Sequence, residues 1–118
     1  MLYHVLGLEM IRILFIDDDP QAQKTLSMVL RERYTIVSAM SADEGMEVMN
    51  RTDPDVVLLD INLPDRSGLD LLDDILKRPL APPVIMLTAY GDVEFVKRAI
   101  RAGAYDSVSY THLTLPTN

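Results

Sequence analysis

The sequence predicts an α/β fold, a parallel sheet wound with helices on both faces, on three observations. The run Asp55-Val56-Val57-Leu58-Leu59-Asp60-Ile61-Asn62-Leu63-Pro64 is a long apolar stretch rich in β-branched residues. Such a run reads as a strand buried on both faces, the form taken by the central strand of a parallel sheet. Strand-like and helix-like patterns then alternate four times along the chain with short connections, which implies right-handed βαβ units. Finally, the polar groups Asp17, Asp18, Asp60 and Thr88 all fall at the same end of their strands, so a parallel sheet carries them to one rim. With 118 residues, the chain has room for one domain and a core able to fold alone.

Met1 to Glu9 shows no pattern, and Met10 is read as the natural start, with residues 1–9 an N-terminal extension. Ile11 to Ile16 is apolar apart from Arg12 and stops at Asp17-Asp18-Asp19-Pro20, giving a first strand with carboxylates at its end. Asp19 caps a helix whose first position is Pro20, where the missing N–H is harmless, and Ala22, Leu26, Val29 and Leu30 form its apolar face. Tyr34 to Ala39 is a more polar strand expected near a sheet edge. Ser41-Ala42-Asp43-Glu44 is a capping box: Ser41 accepts from the backbone and Glu44 reaches back. The helix it opens carries Met46 and Met49, and Asp53-Pro54 stops it. After the central strand, Pro64-Asp65-Arg66-Ser67-Gly68 makes a turn, and Leu69, Leu72, Ile75 and Leu76 recur at helical spacing up to Pro79. Pro82-Pro83 leads into the buried strand Val84 to Thr88. Asp92 caps the next helix, whose face is Val93, Val96 and Ile100, with Gly103 as its C-terminal stop.

Composition narrows the chemistry. A formal charge of -7, from 18 acidic against 11 basic residues, argues against nucleic acid as a direct partner, because phosphate backbones are held by clustered Lys and Arg. With no cysteine and only two histidines, a disulfide framework, a thiolate site and a zinc centre are all disfavoured. No apolar run approaches a membrane span, no secretory signal opens the chain, and a cytoplasmic protein is expected. A glycine-rich turn after the first strand is lacking, which excludes a dinucleotide fold.

Carboxylates from two strands at one rim repel unless protons or a divalent cation intervene. Mg²⁺ fits, as a hard ion that takes a few carboxylates, keeps waters and grips phosphate oxygens. A carboxylate beside it can attack phosphorus and become an acyl phosphate. Thr88 could then donate its hydroxyl to a phosphoryl oxygen and turn the modification into loop movement. Taken singly, Asp60 and Thr88 are ordinary strand ends. Taken together, their placement at one end of the sheet points to a site.

Four segments in this order resemble the receiver domain of bacterial two-component response regulators: Ile13 to Pro20, Asp55 to Gly68, Pro83 to Gly91, and Ala102 to Asp106. The resemblance covers Met10 to about Ser107. It implies a doubly wound, flavodoxin-like parallel sheet of five strands in the order 2-1-3-4-5, with five helices. It also implies that Asp60 is the phosphoacceptor, and that Asp18, Asp60 and the backbone carbonyl of Asn62 bind Mg²⁺ with Asp17 acting mainly through metal-bound water. Thr88 corresponds to the switch hydroxyl and Ala89 to the small residue that leaves room for the phosphoryl group. A sensor histidine kinase would supply that group, and the domain would catalyse only its own phosphorylation and dephosphorylation. The segment from Thr88 to Glu94 is similar to receivers joined to transcriptional regulators, so an output domain is expected in the intact parent.

Beyond Asp106 the pattern breaks. Receivers have an aromatic residue, two variable positions, a lysine and a proline, whereas this chain has Ser107, Val108, Ser109, Tyr110 and Thr111. Tyr110 stands in the place of the lysine, and a fifth helix is missing before Asn118. Val108 to Thr117 resembles the conceptual translation of a transposon-type sequencing adapter. Residues 10–107 are therefore read as the receiver and 108–118 as a non-native tail, so that His112 is no candidate ligand. Loss of the lysine is expected to leave Mg²⁺ binding intact but to make phosphorylation slow and poorly coupled to any switch. Two rivals remain at this level. A phosphatase with an aspartate nucleophile would want a second acid where Asn62 stands, and a cap domain. A phosphorylation-independent interaction module would keep the fold and use the surface of its fourth helix.

Overall fold

The first strand, β1 (Arg12–Ile16), is buried from Ile13 onward because it lies inside a sheet rather than at its edge. The computed structural model describes residues 10–88, 97–98, 101 and 103–109. Its remaining strands are β2 (Thr35–Ala39), β3 (Val56–Asp60), β4 (Val84–Thr88) and β5 (Asp106–Ser109), paired in parallel in the order β2-β1-β3-β4-β5. The central position of β3 matches its near-complete burial, and the more polar β2 stands at an edge. Three helices alternate with the first strands: α1 (Pro20–Leu30), α2 (Ala42–Thr52) and α3 (Gly68–Leu76). Strand β5 continues to Ser109, two residues past the boundary drawn at 107 from the sequence.

The period-2 alternation of side chains along a strand divides the core in two. Leu14 and Ile16 of β1, with Val57 and Leu59 of β3, pack against Val48 and Met49 of α2 and Leu71, Leu72 and Ile75 of α3. Ile13, Phe15 and Leu58 point to the opposite face, where Leu26 of α1 meets them. Helices thus cover both faces of the sheet.

Each helix has a local reason to begin where it does. Asp19 accepts a hydrogen bond from the Gln21 amide at 2.9 Å and is followed by Pro20, Ser41 Oγ accepts from the Glu44 amide at 3.2 Å, and Ser67 Oγ accepts from the Leu69 amide at 3.1 Å. The capping box is only half realised: Ser41 makes its bond but the Glu44 side chain does not return one to the Ser41 amide, and the next two amides, Ala42 N and Asp43 N, are satisfied by Asp65 at 2.9 Å. The apolar face expected for α1 also needs one correction. Val29 is 42% exposed, and the inward stripe is Ala22, Gln23, Leu26 and Leu30. Spacing explains the shift, since Leu26 and Leu30 are four apart and Gln23 lies three before Leu26, which leaves Val29 at the border of the stripe.

Helix α2 ends on Asp53 in the left-handed conformation (φ 50°), its N–H donating to Met49 O, and Pro54 follows. Gly103 has φ 110°, a conformation open to glycine, as expected of a residue that stops a helix. Among the described residues no helix is long and apolar enough to cross a membrane. The extension at 1–9, the cap at Asp92 with the face Val93, Val96 and Ile100, Ala89, and the residues 110–118 that include Tyr110 and His112 lie outside the described residues. So does the place of any fifth helix.

Candidate metal centre

The sheet register brings the acids together. Ile16 of β1 lies level with Leu59 of β3, so the next residue of each strand, Asp17 and Asp60, emerges side by side at the carboxyl end of the sheet. Asp17 N–H donates to Ala39 O at 3.0 Å and carries the β1–β2 ladder one rung past the strand, which fixes where this carboxylate stands. Its Oδ1 accepts from Asp19 N at 2.9 Å, turning the chain into α1. Of the three consecutive acids, Asp19 is committed to capping that helix, while Asp17, Asp18 and Asp60 offer oxygens that all lie within 4.8 Å of one another. Asp17 is fully buried and Asp60 nearly so (9% exposed), while Asp18 faces solvent.

This crowding has an electrostatic consequence. The Asp60 carboxyl is pushed from its ordinary 3.8 up to about 7, chiefly by burial and then by the negative charge of Asp17, with Asp18 adding to it and the Asn62 amide opposing it. At neutral pH such a cluster wants a proton or a cation. Three hard oxygen donors from carboxylates, one of them open to solvent, suit a Mg²⁺ ion that keeps several waters. The donor set therefore fits the metal expected from the sequence.

The loop after β3 is held firmly. Asn62 N lies 3.4 Å from Asp60 Oδ1, Asn62 pairs with Ser67 in an isolated antiparallel bridge, and Gly68 N donates to Ile61 O at 2.7 Å. A Cβ at Gly68 would come within 2.4 Å of Asp60 O and 2.9 Å of Ile61 Cα, so only glycine lets α3 start this close to the strand end. Asp65 fastens the outer part of the loop to the N-terminus of α2, and its two amide donors, Ala42 then Asp43, hold its carboxyl below the usual carboxylate range. Arg66 pairs with Asp74 of α3 at 2.8 Å.

Thr88 ends β4 on the same rim, one step beyond the residue level with Asp60, and its backbone pairs with Ser109 of β5. The Thr88 side chain, Ala89 and Tyr110 lie outside what the structure describes. Two residues near the site were missed by the sequence reading. Asp65 gave no signal beyond its turn chemistry, because its partners are more than twenty residues away. Gln23 did give one: a glutamine three residues before Leu26 falls on the face that must be buried. Its amide reaches Phe15 O, Asp17 O and Ala39 O, all at 3.0 Å.

Comparison with known proteins bears on the same segments. The sequence pattern of the response regulator receiver domain matches residues 13–110. Over 96 residues the chain is 38% identical to the response regulator protein PilR of Pseudomonas aeruginosa, covering 80% of this chain and 22% of PilR. It is 39% identical over 98 residues to the transcriptional regulatory protein KdpE of Mycobacterium tuberculosis, covering 82% of this chain and 43% of KdpE. Among solved structures, the BeF3-activated N-terminal receiver domain of RstA from Klebsiella pneumoniae superposes with a TM-score of 0.81 at 30% identity, covering 89% of this chain and 88% of that one. The chain thus spans about a fifth of PilR and well under half of KdpE.

Proposed function

Since the chain belongs to the response regulator receiver domain family, we propose that it serves as the phosphoacceptor of a two-component pair, with Asp60 as the residue modified. The observation that carries this reading is the convergence of Asp17, Asp18 and Asp60 within 4.8 Å at the carboxyl end of the sheet, the part of an open α/β fold where ligands bind. Asp17, Asp18, Asp60 and the backbone carbonyl of Asn62 would hold Mg²⁺. When bound, the ion would neutralise charge on the transferring phosphoryl group and align it with the attacking oxygen.

The remaining work falls to the protein. An Asp60 oxygen attacks the phosphorus of a phosphohistidine on a sensor kinase; the new P–O bond forms as the P–N bond breaks, and the imidazole leaves with its electron pair and takes up a proton. Asp60 must be ionised to attack, and its raised pKa of about 7 couples that ionisation to arrival of the cation. Thr88 would donate its hydroxyl to a phosphoryl oxygen, with Ala89 leaving space for it. With Tyr110 where the receiver resemblance calls for lysine, the phosphorylated state would lack one stabilising cation, so slow phosphorylation is expected. By kinship with proteins named as transcriptional regulators, the longer parent would carry an output domain and act in the cytoplasm. Mechanism at this site is self-modification rather than turnover of a substrate.

Incubation with Mg²⁺ and a small phosphodonor such as phosphoramidate, followed by intact-mass measurement, should show gain of one phosphoryl group, labile to hydroxylamine. Asp60→Asn should abolish it. A gain that persists in Asp60→Asn places the phosphate elsewhere and sinks the assignment. Partner binding unaffected by Asp60→Ala would favour the phosphorylation-independent interaction module instead.

A further inference from the structure

Among the described residues three polar side chains are buried, Asp17, Gln23 and Asp60. Two of them belong to the acidic cluster. The third sits in the first turns of α1, 7% exposed, and donates from Nε2 to Phe15 O, Asp17 O and Ala39 O, each at 3.0 Å. Two N–H groups are shared among three carbonyls from two adjacent strands. Asp17 and Ala39 lie at or past the last rung of the β1–β2 ladder. Ala39 O also accepts from Asp17 N, so the Asp17 backbone is gripped at its N–H through Ala39 and at its C=O by Gln23. Asp18 follows directly from that carbonyl.

The other end of the same side chain argues that these bonds, rather than volume, explain the residue. Gln23 Oε1 is buried with no hydrogen-bond partner. An apolar side chain of similar length would fill the space without burying an unmet acceptor. What it would not do is hold the segment 17–18 against the repulsion of the neighbouring Asp60 carboxylate. We infer that Gln23 is a positioning residue for the metal centre: its amide clamps the ends of β1 and β2 and so presets the Asp17 and Asp18 carboxylates for a divalent cation. This rests on the reading of the cluster as a Mg²⁺ site.

The test is calorimetric titration of Mg²⁺ into the wild-type chain, Gln23→Met and Asp18→Asn, with metal-free melting curves of each. Met matches Gln closely in length and lacks the donors. Gln23→Met should bind Mg²⁺ roughly 10-fold or more weakly, in the range seen when groups that orient metal ligands are removed, and its metal-free melting temperature should fall as well, because three buried carbonyls lose a donor. A merely structural glutamine would lower the melting temperature alone and leave the affinity of the folded protein unchanged. Should Gln23→Met fail to fold, Gln23→Asn keeps an amide one methylene short of the carbonyls and is expected to show the same weakening. Wild-type affinity in the folded variant overturns the inference while leaving the Mg²⁺ site standing. Absence of Mg²⁺ binding in the wild type, equal to that of Asp18→Asn, overturns the site and the inference together.

Discussion

Asp60 carries a pH signature. Its folded-state pKa, about 7, lies above the ordinary 3.8 of the unfolded chain. Between these values the metal-free folded state keeps a proton that the unfolded state has released. That contribution to stability is complete below the unfolded pKa and is lost as pH rises through the folded one. Melting curves in chelator should therefore fall from about pH 4 to about pH 7, and Asp60→Asn, which cannot ionise, should flatten that fall and melt higher than wild type at the alkaline end. Equal slopes for the two proteins would mean that Asp60 is not the titrating group. Asp17, Asp18 and Asp60 were legible in the sequence because strand ends can be found from hydrophobic patterning, and parallel strands share an end. The burial of Gln23 could be foreseen from its place on the inward face of α1, but not what it clamps, since its partners are backbone carbonyls and carry no residue type to recognise.

Among the elements, α2 depends on a distant cap. Ser41 satisfies the Glu44 amide, but Ala42 N and Asp43 N rely on Asp65, which belongs to the loop between β3 and α3. Asp65→Ala should cost about 1 kcal/mol, the usual loss when a helix N-terminus is uncapped. Because the folded pKa of Asp65 is lowered, its contribution is present above the unfolded pKa and disappears as pH falls through the folded value. Urea denaturation of the two proteins should thus differ at neutral pH and converge in acid; a constant difference would assign the loss to packing instead. Leu80 offers the opposite case. It is a fully exposed leucine at φ 56°, a conformation that a Cβ disfavours. Leu80→Asn, which tolerates that region, should raise stability by roughly 0.5–1 kcal/mol with an unchanged urea m-value. Element types and order were readable from periodicity and turn residues, whereas Val29 was placed on the wrong side of α1 because a helical stripe drifts and its border is set by the sheet it meets. The crossing from Asp65 to α2 is set by tertiary packing alone.

At the scale of the whole molecule, the register of a parallel sheet collects negative charge at one edge of a protein that already carries a net charge of -7. The parallel topology was foreseeable from the alternation of elements, and with it the rim, but the spacing of the carboxylates depends on the level at which β1 and β3 pair. Two of those carboxylates are buried, so a monovalent salt, which acts by screening exposed charges, relieves little of their repulsion. A coordinated divalent ion would relieve it directly and would bind the folded state alone, because the unfolded chain does not hold Asp60 near Asp17. Stability should then rise with Mg²⁺ as RT ln(1 + [Mg²⁺]/Kd), roughly 2.7 kcal/mol at a concentration about 100-fold above Kd. The melting temperature should climb by several degrees, and KCl matched in ionic strength should give a much smaller change. Asp18→Asn keeps the two buried acids and removes the exposed ligand. It should abolish most of the Mg²⁺ response while leaving the KCl response in place. Equal stabilisation by the two salts in wild type, or a full Mg²⁺ response in Asp18→Asn, would show that the ion acts as a diffuse counter-charge and that the cluster is not a binding site.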